Sequence, residues 1–143
     1  MTHTETLDKA MVEELVADWK KRLTDLYATI ATWLEGTEYT LKPSSKRKFY
    51  EGPMYYKDVP PTMVDTATIY KGKELIIAID PRGLWVIGSN GMVELLTSKG
   101  ISHNLLDMAG EFEQPMWMLY VNRKGVGVDL TKDSLLQLMN SIV

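Results

Sequence analysis

One apolar stripe constrains the fold of this chain more than any other feature. Between residues 12 and 33, large apolar side chains recur at alternating steps of four and three positions: Val12, Val16, Trp19, Leu23, Leu26, Ile30 and Trp33. An α-helix turns 100° per residue, so these side chains share one face and leave the charged residues on the other. Thr2 and Glu5 have the spacing of a capping box, and Gly36 occupies the position of a C-terminal cap. The pattern predicts one long amphipathic helix from residue 5 to residue 35.

Residues 63–130 alternate between short apolar segments and turn residues, which is typical of an antiparallel meander. Asp80-Pro81-Arg82-Gly83 has proline and glycine where a type I turn favours them, and Asn90-Gly91 is a strong hairpin signal. We expect Gly91 to have positive φ, so Gly91→Val should cost about 1–2 kcal/mol. The expected strands are 64–70, 74–79, 84–87, 92–97, 101–108, 116–121 and 126–130.

Two further segments complete the prediction. Residues 37–61 contain four prolines and only short apolar pieces, so we expect an irregular basic and aromatic segment with one or two short edge strands. Thr131 or Asp133 is expected to cap a short C-terminal helix over residues 131–142. A chain of 143 residues fits one domain, 1–143. The expected fold class is α+β: a long N-terminal helix packed on an antiparallel meander of about five to seven strands.

Self-association follows from helix length and from the two apolar faces of the sheet. A 31-residue helix would be about 46 Å long, whereas a compact globule of this size is roughly 37 Å across. The overhanging end would carry Leu7, Met11 and Leu15, so these residues are a candidate interface. A homodimer would cover both the overhang and the second sheet face. The competing explanation is a helix that bends or breaks near Trp19 and packs wholly on its own sheet.

Composition excludes several classes of site. The chain has no cysteine and only two histidines, so disulfides, thiolate zinc sites and three-histidine zinc sites are excluded. The glycine clusters match no phosphate loop or dinucleotide fingerprint, and we expect no cofactor and no metal. The N-terminus shows no secretory pattern, and the longest apolar run is far too short to span a membrane. We therefore expect a soluble, cytoplasmic protein with no membrane partner.

Catalytic candidates are few. Ser102 and His103 are followed by Asp107, but on one strand His103 and Asp107 would be roughly 13 Å apart. A hydrolase built around Ser102, His103 and Asp107 is therefore a secondary hypothesis. The carboxylates of Asp65, Asp80 and Glu94 lie on or beside predicted meander strands and could face one another, while Asp107, Glu111 and Glu113 read as a solvated acidic loop.

The most distinctive polar feature is a basic, aromatic segment. Residues 42–57 carry a net charge of +4 in a chain whose net charge is −3. Cations interleaved with rings suit phosphates and bases. The candidate binding residues are Lys46, Arg47, Lys48, Tyr50, Tyr55 and Tyr56. We expect Lys46, Arg47 and Lys48 to form an exposed cationic patch. The sequence favours a non-enzymatic binding or interaction protein that self-associates, with a nucleic-acid or nucleotide binder using residues 42–57 as the alternative.

Overall fold

A computed structural model describes residues 7–121 and 126–142 of the chain. Three α-helices and seven β-strands follow one another in these ranges. They are α1 (Lys9–Leu34), β1 (Tyr39–Phe49), α2 (Gly52–Tyr56), β2 (Thr62–Lys71), β3 (Glu74–Gly83), β4 (Met92–Thr97), β5 (Ser102–Asp107), β6 (Trp117–Tyr120), β7 (Val128–Asp129) and α3 (Lys132–Ile142). The strands form one antiparallel sheet in chain order, with β1 and β7 at its two edges. The predicted α+β class is therefore confirmed.

Helix α1 forms on the predicted apolar stripe but begins later than expected. Asp8 is its N-cap and accepts a hydrogen bond from the backbone N–H of Met11 at 2.8 Å. Residues 7 and 8 precede the helix, so the expected start at residue 5 is wrong, and Thr2 and Glu5 lie outside the described residues. Gly36, just after the helix, has φ of 77°, as a C-terminal cap requires.

The overhang argument is also wrong. A 26-residue helix is about 39 Å long at 1.5 Å per residue, close to the width expected of the whole globule. Leu7 and Leu15 are 7% and 2% exposed, because the chain covers them itself, while Met11 is 36% exposed. The helix packs on its own sheet, and no helix among the described residues is long and apolar enough to cross a membrane.

The turn expected at Asp80–Gly83 is wrong, and so is the strand expected at 84–87. Strand β3 continues to Gly83, and Pro81 pairs with Val93 of β4 across a bulge between Pro81 and Gly83. Proline is tolerated at a bulge because the ladder is interrupted there. The link to β4 is a loop over residues 84–91, and Gly91 within it has positive φ as predicted.

Residues 37–61 are more regular than expected. Strand β1 runs for eleven residues along β2, with an irregularity between Pro43 and Lys46. Pro53 lies in the first turn of α2, where a missing N–H costs nothing. Both prolines thus fall where regular structure accepts them, and the predicted irregular segment is an edge strand followed by a short helix.

The core lies between α1 and one face of the sheet. Val93 pairs with Leu105 and Leu105 with Leu119, and all three side chains are buried. Helix α1 covers this face through Trp19, which contacts the ring of Trp117 at a centroid distance of 6.3 Å. On the opposite face, the paired residues Met92, Leu106 and Met118 are half-buried.

Helix α3 closes one end of the core. Thr131 caps it as predicted, because the Thr131 hydroxyl accepts a hydrogen bond from the backbone N–H of Ser134 at 3.0 Å. Four side chains of this helix are buried: Leu135, Leu138, Met139 and Ile142. The hydroxyl of Tyr39 donates to the side chain of Asn140 at 2.7 Å, which ties α3 to β1.

Candidate functional site

Three tyrosines lie together at the surface where β1 ends and α2 begins. The rings of Tyr50 and Tyr55 are 6.3 Å apart and those of Tyr55 and Tyr56 are 5.3 Å apart, both in edge-to-face geometry. Tyr50, Tyr55 and Tyr56 are 42%, 62% and 79% exposed. The ammonium group of Lys48 lies 5.8 Å from the centre of the Tyr50 ring. We call these four residues the tyrosine surface.

An apolar hollow adjoins the tyrosine surface. Its volume is about 220 Å³, and it is lined by Leu7, Gly52, Pro53, Tyr56 and Lys57. Tyr56 belongs to both features, so the hollow and the tyrosine surface are continuous. The structure thereby joins Leu7, expected at a helix interface, with Tyr56, expected at a separate binding segment. Met11, in the first turn of α1 and four residues after Leu7, is the exposed member of the expected interface.

Buried anchors fix the tyrosines in place. Met54 is fully buried beneath α2, and Val59 is buried just after it. The N–H of Val59 donates to the carbonyl of Met54 at 2.9 Å, and Asp58 has φ of 57°, so the chain reverses sharply there. With Met54 pointing inward, Tyr55 and Tyr56 project outward from a short, anchored turn of helix. The rings are therefore presented on a defined backbone.

Two of the three cations of the predicted patch are paired with acids. The ammonium group of Lys46 lies 2.7 Å from a carboxylate oxygen of Asp65. Arg47 lies 2.7 Å from a carboxylate oxygen of Asp80, which Arg82 also contacts at 3.0 Å. Lys46 and Arg47 are therefore held against acids of β2 and β3, and among the three expected cations only Lys48 joins the tyrosines.

The structure does not assemble a serine-histidine-aspartate triad. His103 and Asp107 are buried on the face covered by α1, whereas Ser102 alternates to the other face and donates to the carboxylate of Glu94 at 2.6 Å. Burial lowers the pKa of His103, which favours the neutral imidazole. Nor do the described residues bring three acidic or histidine side chains together in a group that could hold a metal ion.

Asp107 instead takes part in a buried ion pair that sequence reasoning missed. Its carboxylate accepts hydrogen bonds from Arg22 at 2.7 Å and from the backbone N–H groups of Ala109 and Met116. Arg22 also contacts the carboxylate of Asp18 at 2.8 Å and the carbonyl of Asn90 at 2.8 Å. The signal available in the sequence was an arginine within the apolar stripe, four residues after an aspartate.

Glu51, next to Tyr50, holds a neighbouring loop in place. Its carboxylate accepts hydrogen bonds from the backbone N–H groups of Leu84 at 2.9 Å and Trp85 at 3.5 Å. Burial raises the pKa of Glu51, and these two hydrogen bonds partly offset the rise. Glu51 thus fixes the loop 84–91 rather than offering a free charge at the surface.

Comparisons with protein-family models, with curated proteins and with solved structures found no match to this chain.

Proposed function

We propose that this chain is a non-enzymatic interaction protein that forms a two-fold dimer through the tyrosine surface and the adjoining apolar hollow. The carrying observation is the continuity of three exposed rings with a hollow of about 220 Å³. Tyrosine is enriched among the residues that contribute most to interfaces, because its ring buries a large area while its hydroxyl stays compatible with water.

The geometry of the surface favours a second copy as the partner. A two-fold interface pairs one patch with itself, so the patch must contain both a protrusion and a recess. Tyr55 and Tyr56 protrude, and the hollow lined by Leu7 and Pro53 lies directly beside them. The rings of one copy can therefore enter the hollow of the other in a symmetric exchange.

The nucleic-acid alternative has less support. Binding to phosphates requires cations that are free to replace counterions. Lys46 and Arg47 are paired with Asp65 and Asp80 instead. Lys48 could still contact a phosphate while the tyrosines stack with bases. Fluorescence anisotropy with a single-stranded oligonucleotide at low salt is the test of that alternative. Salt-dependent binding that is lost in Lys48→Glu would favour it.

Light scattering after size-exclusion chromatography tests the dimer. The chain has a mass of 16.3 kDa, and we expect twice that mass at tens of micromolar. The double variant Tyr55→Ser/Tyr56→Ser should return the mass to that of one chain without unfolding it, since both side chains are exposed. A monomeric mass for the unaltered chain at tens of micromolar would overturn the proposal.

Two control variants locate the interface. Val126→Ser/Val128→Ser removes two exposed apolar side chains at the opposite edge of the sheet and should leave the dimer intact. Leu96→Ser tests the half-exposed sheet face, where Leu96 is 40% exposed. Dissociation by Leu96→Ser but not by the tyrosine variant would place the interface on the sheet and remove the tyrosine surface from this role.

A further inference from the structure

A second recess lies far from the tyrosine surface along α1, between the second half of that helix and the segment leading into β6. It has a volume of about 240 Å³. Its walls include Leu26, Thr29 and Trp33 of α1, with Gln114, Pro115 and Trp117 opposite. We call this recess the tryptophan pocket. It shares no lining residue with the apolar hollow, so an inference about it is independent of the proposed dimer.

The two indoles give the pocket flat apolar walls. Trp117 is backed by Trp19, with ring centroids 6.3 Å apart and planes inclined at 45°. Trp33 is half-buried and, among the described rings, has no aromatic neighbour. Leu26 is buried and Leu130 is half-buried at the same recess. Aromatic walls with aliphatic residues between them favour a planar ring, which gains from stacking as well as from burial.

The charges around the pocket disfavour an anion. Arg22 lines the pocket, but the carboxylates of Asp18 and Asp107 already bind it at 2.8 and 2.7 Å. At the rim, Asp25 pairs with Lys21 at 3.1 Å. The network around the pocket therefore contains three carboxylates and two cations, so its net charge is −1. A carboxylate or phosphate on the ligand would be repelled, whereas an uncharged ligand would not.

Arg22, one of the residues that line the pocket, carries a donor atom without a partner, and this adds a polar requirement. The Nη2 atom of Arg22 is buried and has no acceptor among the described residues. Buried donors without partners are rare in native proteins, since each raises the free energy of the folded state. The side chain of Gln114 is exposed at the mouth and carries both a donor and an acceptor. A ligand carbonyl oxygen directed toward Arg22 would suit this arrangement.

The volume of the tryptophan pocket limits the size of the ligand. A cavity of about 150 Å³ binds benzene, and drug-sized ligands occupy pockets of about 300 Å³ or more. A recess of about 240 Å³ lies between these values. We propose that the tryptophan pocket binds an uncharged aromatic molecule of one or two rings that carries a carbonyl acceptor.

Isothermal titration calorimetry with matched neutral and anionic probes tests this proposal. The neutral probes are benzamide and indole-3-carboxamide, and their anionic counterparts are benzoate and indole-3-carboxylate. We expect at least one neutral probe to bind with a Kd of about 1 mM or below, the range that small fragments reach. Its anionic counterpart should bind at least about tenfold more weakly. Absence of saturable binding by every neutral probe at millimolar concentration, or tighter binding of the anions, would overturn the proposal.

Two pairs of variants locate the binding. Trp33→Leu removes a ring from the pocket, whereas Trp85→Leu removes a half-buried ring outside it. Thr29→Phe fills the recess from α1, whereas Thr32→Phe adds the same ring at an exposed position of α1 that does not line it. We expect Trp33→Leu and Thr29→Phe to weaken binding at least about tenfold, with the two controls unchanged. Thr29→Phe removes no buried contact, so it remains informative if Trp33→Leu unfolds. Binding that survives both pocket variants would assign the ligand to another site.

Discussion

Among the described glycines, Gly91 leaves the least room for a side chain. It is the last residue of the loop 84–91 before β4 and has φ of 131°, a conformation that residues other than glycine rarely adopt. A Cβ atom at this position would lie 2.4 Å from Cζ3 of Trp19, which is fully buried beneath α1. The absence of a side chain therefore lets the helix approach the sheet, in addition to allowing the turn.

Substitution of Gly91 should be more destabilising than its turn conformation alone implies. The backbone contribution is about 1–2 kcal/mol, and overpacking against Trp19 adds about 1–3 kcal/mol. We expect Gly91→Ala to lower the free energy of unfolding by about 3 kcal/mol in urea denaturation. Gly88→Ala is the matched control, since Gly88 also has positive φ but open space around its Cβ position. Equal losses in the two variants would show that Trp19 yields without cost.

The Arg22–Asp107 pair is the second prediction at this scale. Asp107→Ala leaves a buried guanidinium with only one carboxylate partner and removes the acceptor for two backbone N–H groups. Breaking a buried pair from one side costs about 3–5 kcal/mol, and we expect a loss of that size on chemical denaturation. Asp65→Ala breaks an exposed pair with Lys46 and should change stability by less than about 1 kcal/mol. Similar effects of the two variants would contradict this assignment.

At the scale of helices and strands, the sequence predicts an element correctly where the signal lies within a few neighbouring residues. The apolar stripe predicts α1 correctly because its period of 3.6 residues lies within one segment. The prediction of Thr131 as the cap of α3 is also correct, because a cap depends only on neighbouring residues. The turn predicted at Asp80–Gly83 was wrong because the local sequence does not reveal its partner strand. Strand β4 lies alongside, and a bulge accommodates Pro81 and Gly83. The tryptophan pocket cannot be predicted from the sequence, because Trp33 and Trp117 line the same recess only when the sheet has packed under α1.

Glu51 lies between β1 and α2, and its hydrogen bonds to the loop 84–91 give a testable prediction. Glu51→Ala removes the acceptor for the N–H groups of Leu84 and Trp85 and should cost about 1–3 kcal/mol at neutral pH. Glu51→Gln keeps an acceptor oxygen and removes a charge that burial disfavours, so we expect stability near that of the unaltered chain. A large loss in both variants would mean that the charge itself holds the loop.

The pH dependence of Glu51 has a definite sign. Because burial raises the pKa of Glu51 in the folded state, the carboxyl contributes most stability below its ordinary pKa and loses that contribution as pH rises through the folded-state pKa. Glu51→Gln should abolish this fall. Denaturation of the two proteins across the mildly acidic range therefore checks the cause assigned to the shift.

At the scale of the whole molecule, His103 should make stability fall in mild acid. Burial lowers the pKa of His103 below its ordinary value of 6.5, so in mild acid the unfolded chain binds a proton that the folded chain does not bind. The free energy of unfolding should decrease as pH falls from 6.5 toward the folded-state pKa, by at most about 1.4 kcal/mol per pH unit. His103→Leu should flatten this slope, and His3→Gln measures the contribution of the other histidine in the chain. An unchanged slope in His103→Leu would contradict the assignment.

Strand β1, an outer strand of the open sheet, explains why positive charge concentrates in residues 42–57. An unpaired strand edge invites hydrogen bonding to another molecule's sheet, which is a route to aggregation. Along β1 the regular ladder is broken between Pro43 and Lys46, and Lys42, Lys46 and Lys48 are exposed. Prolines, irregular pairing and lysines each oppose growth of a sheet across molecules. We therefore expect the β1 edge to resist fibril-like stacking, and replacement of these lysines by threonine or valine should increase β-aggregation in concentrated solutions.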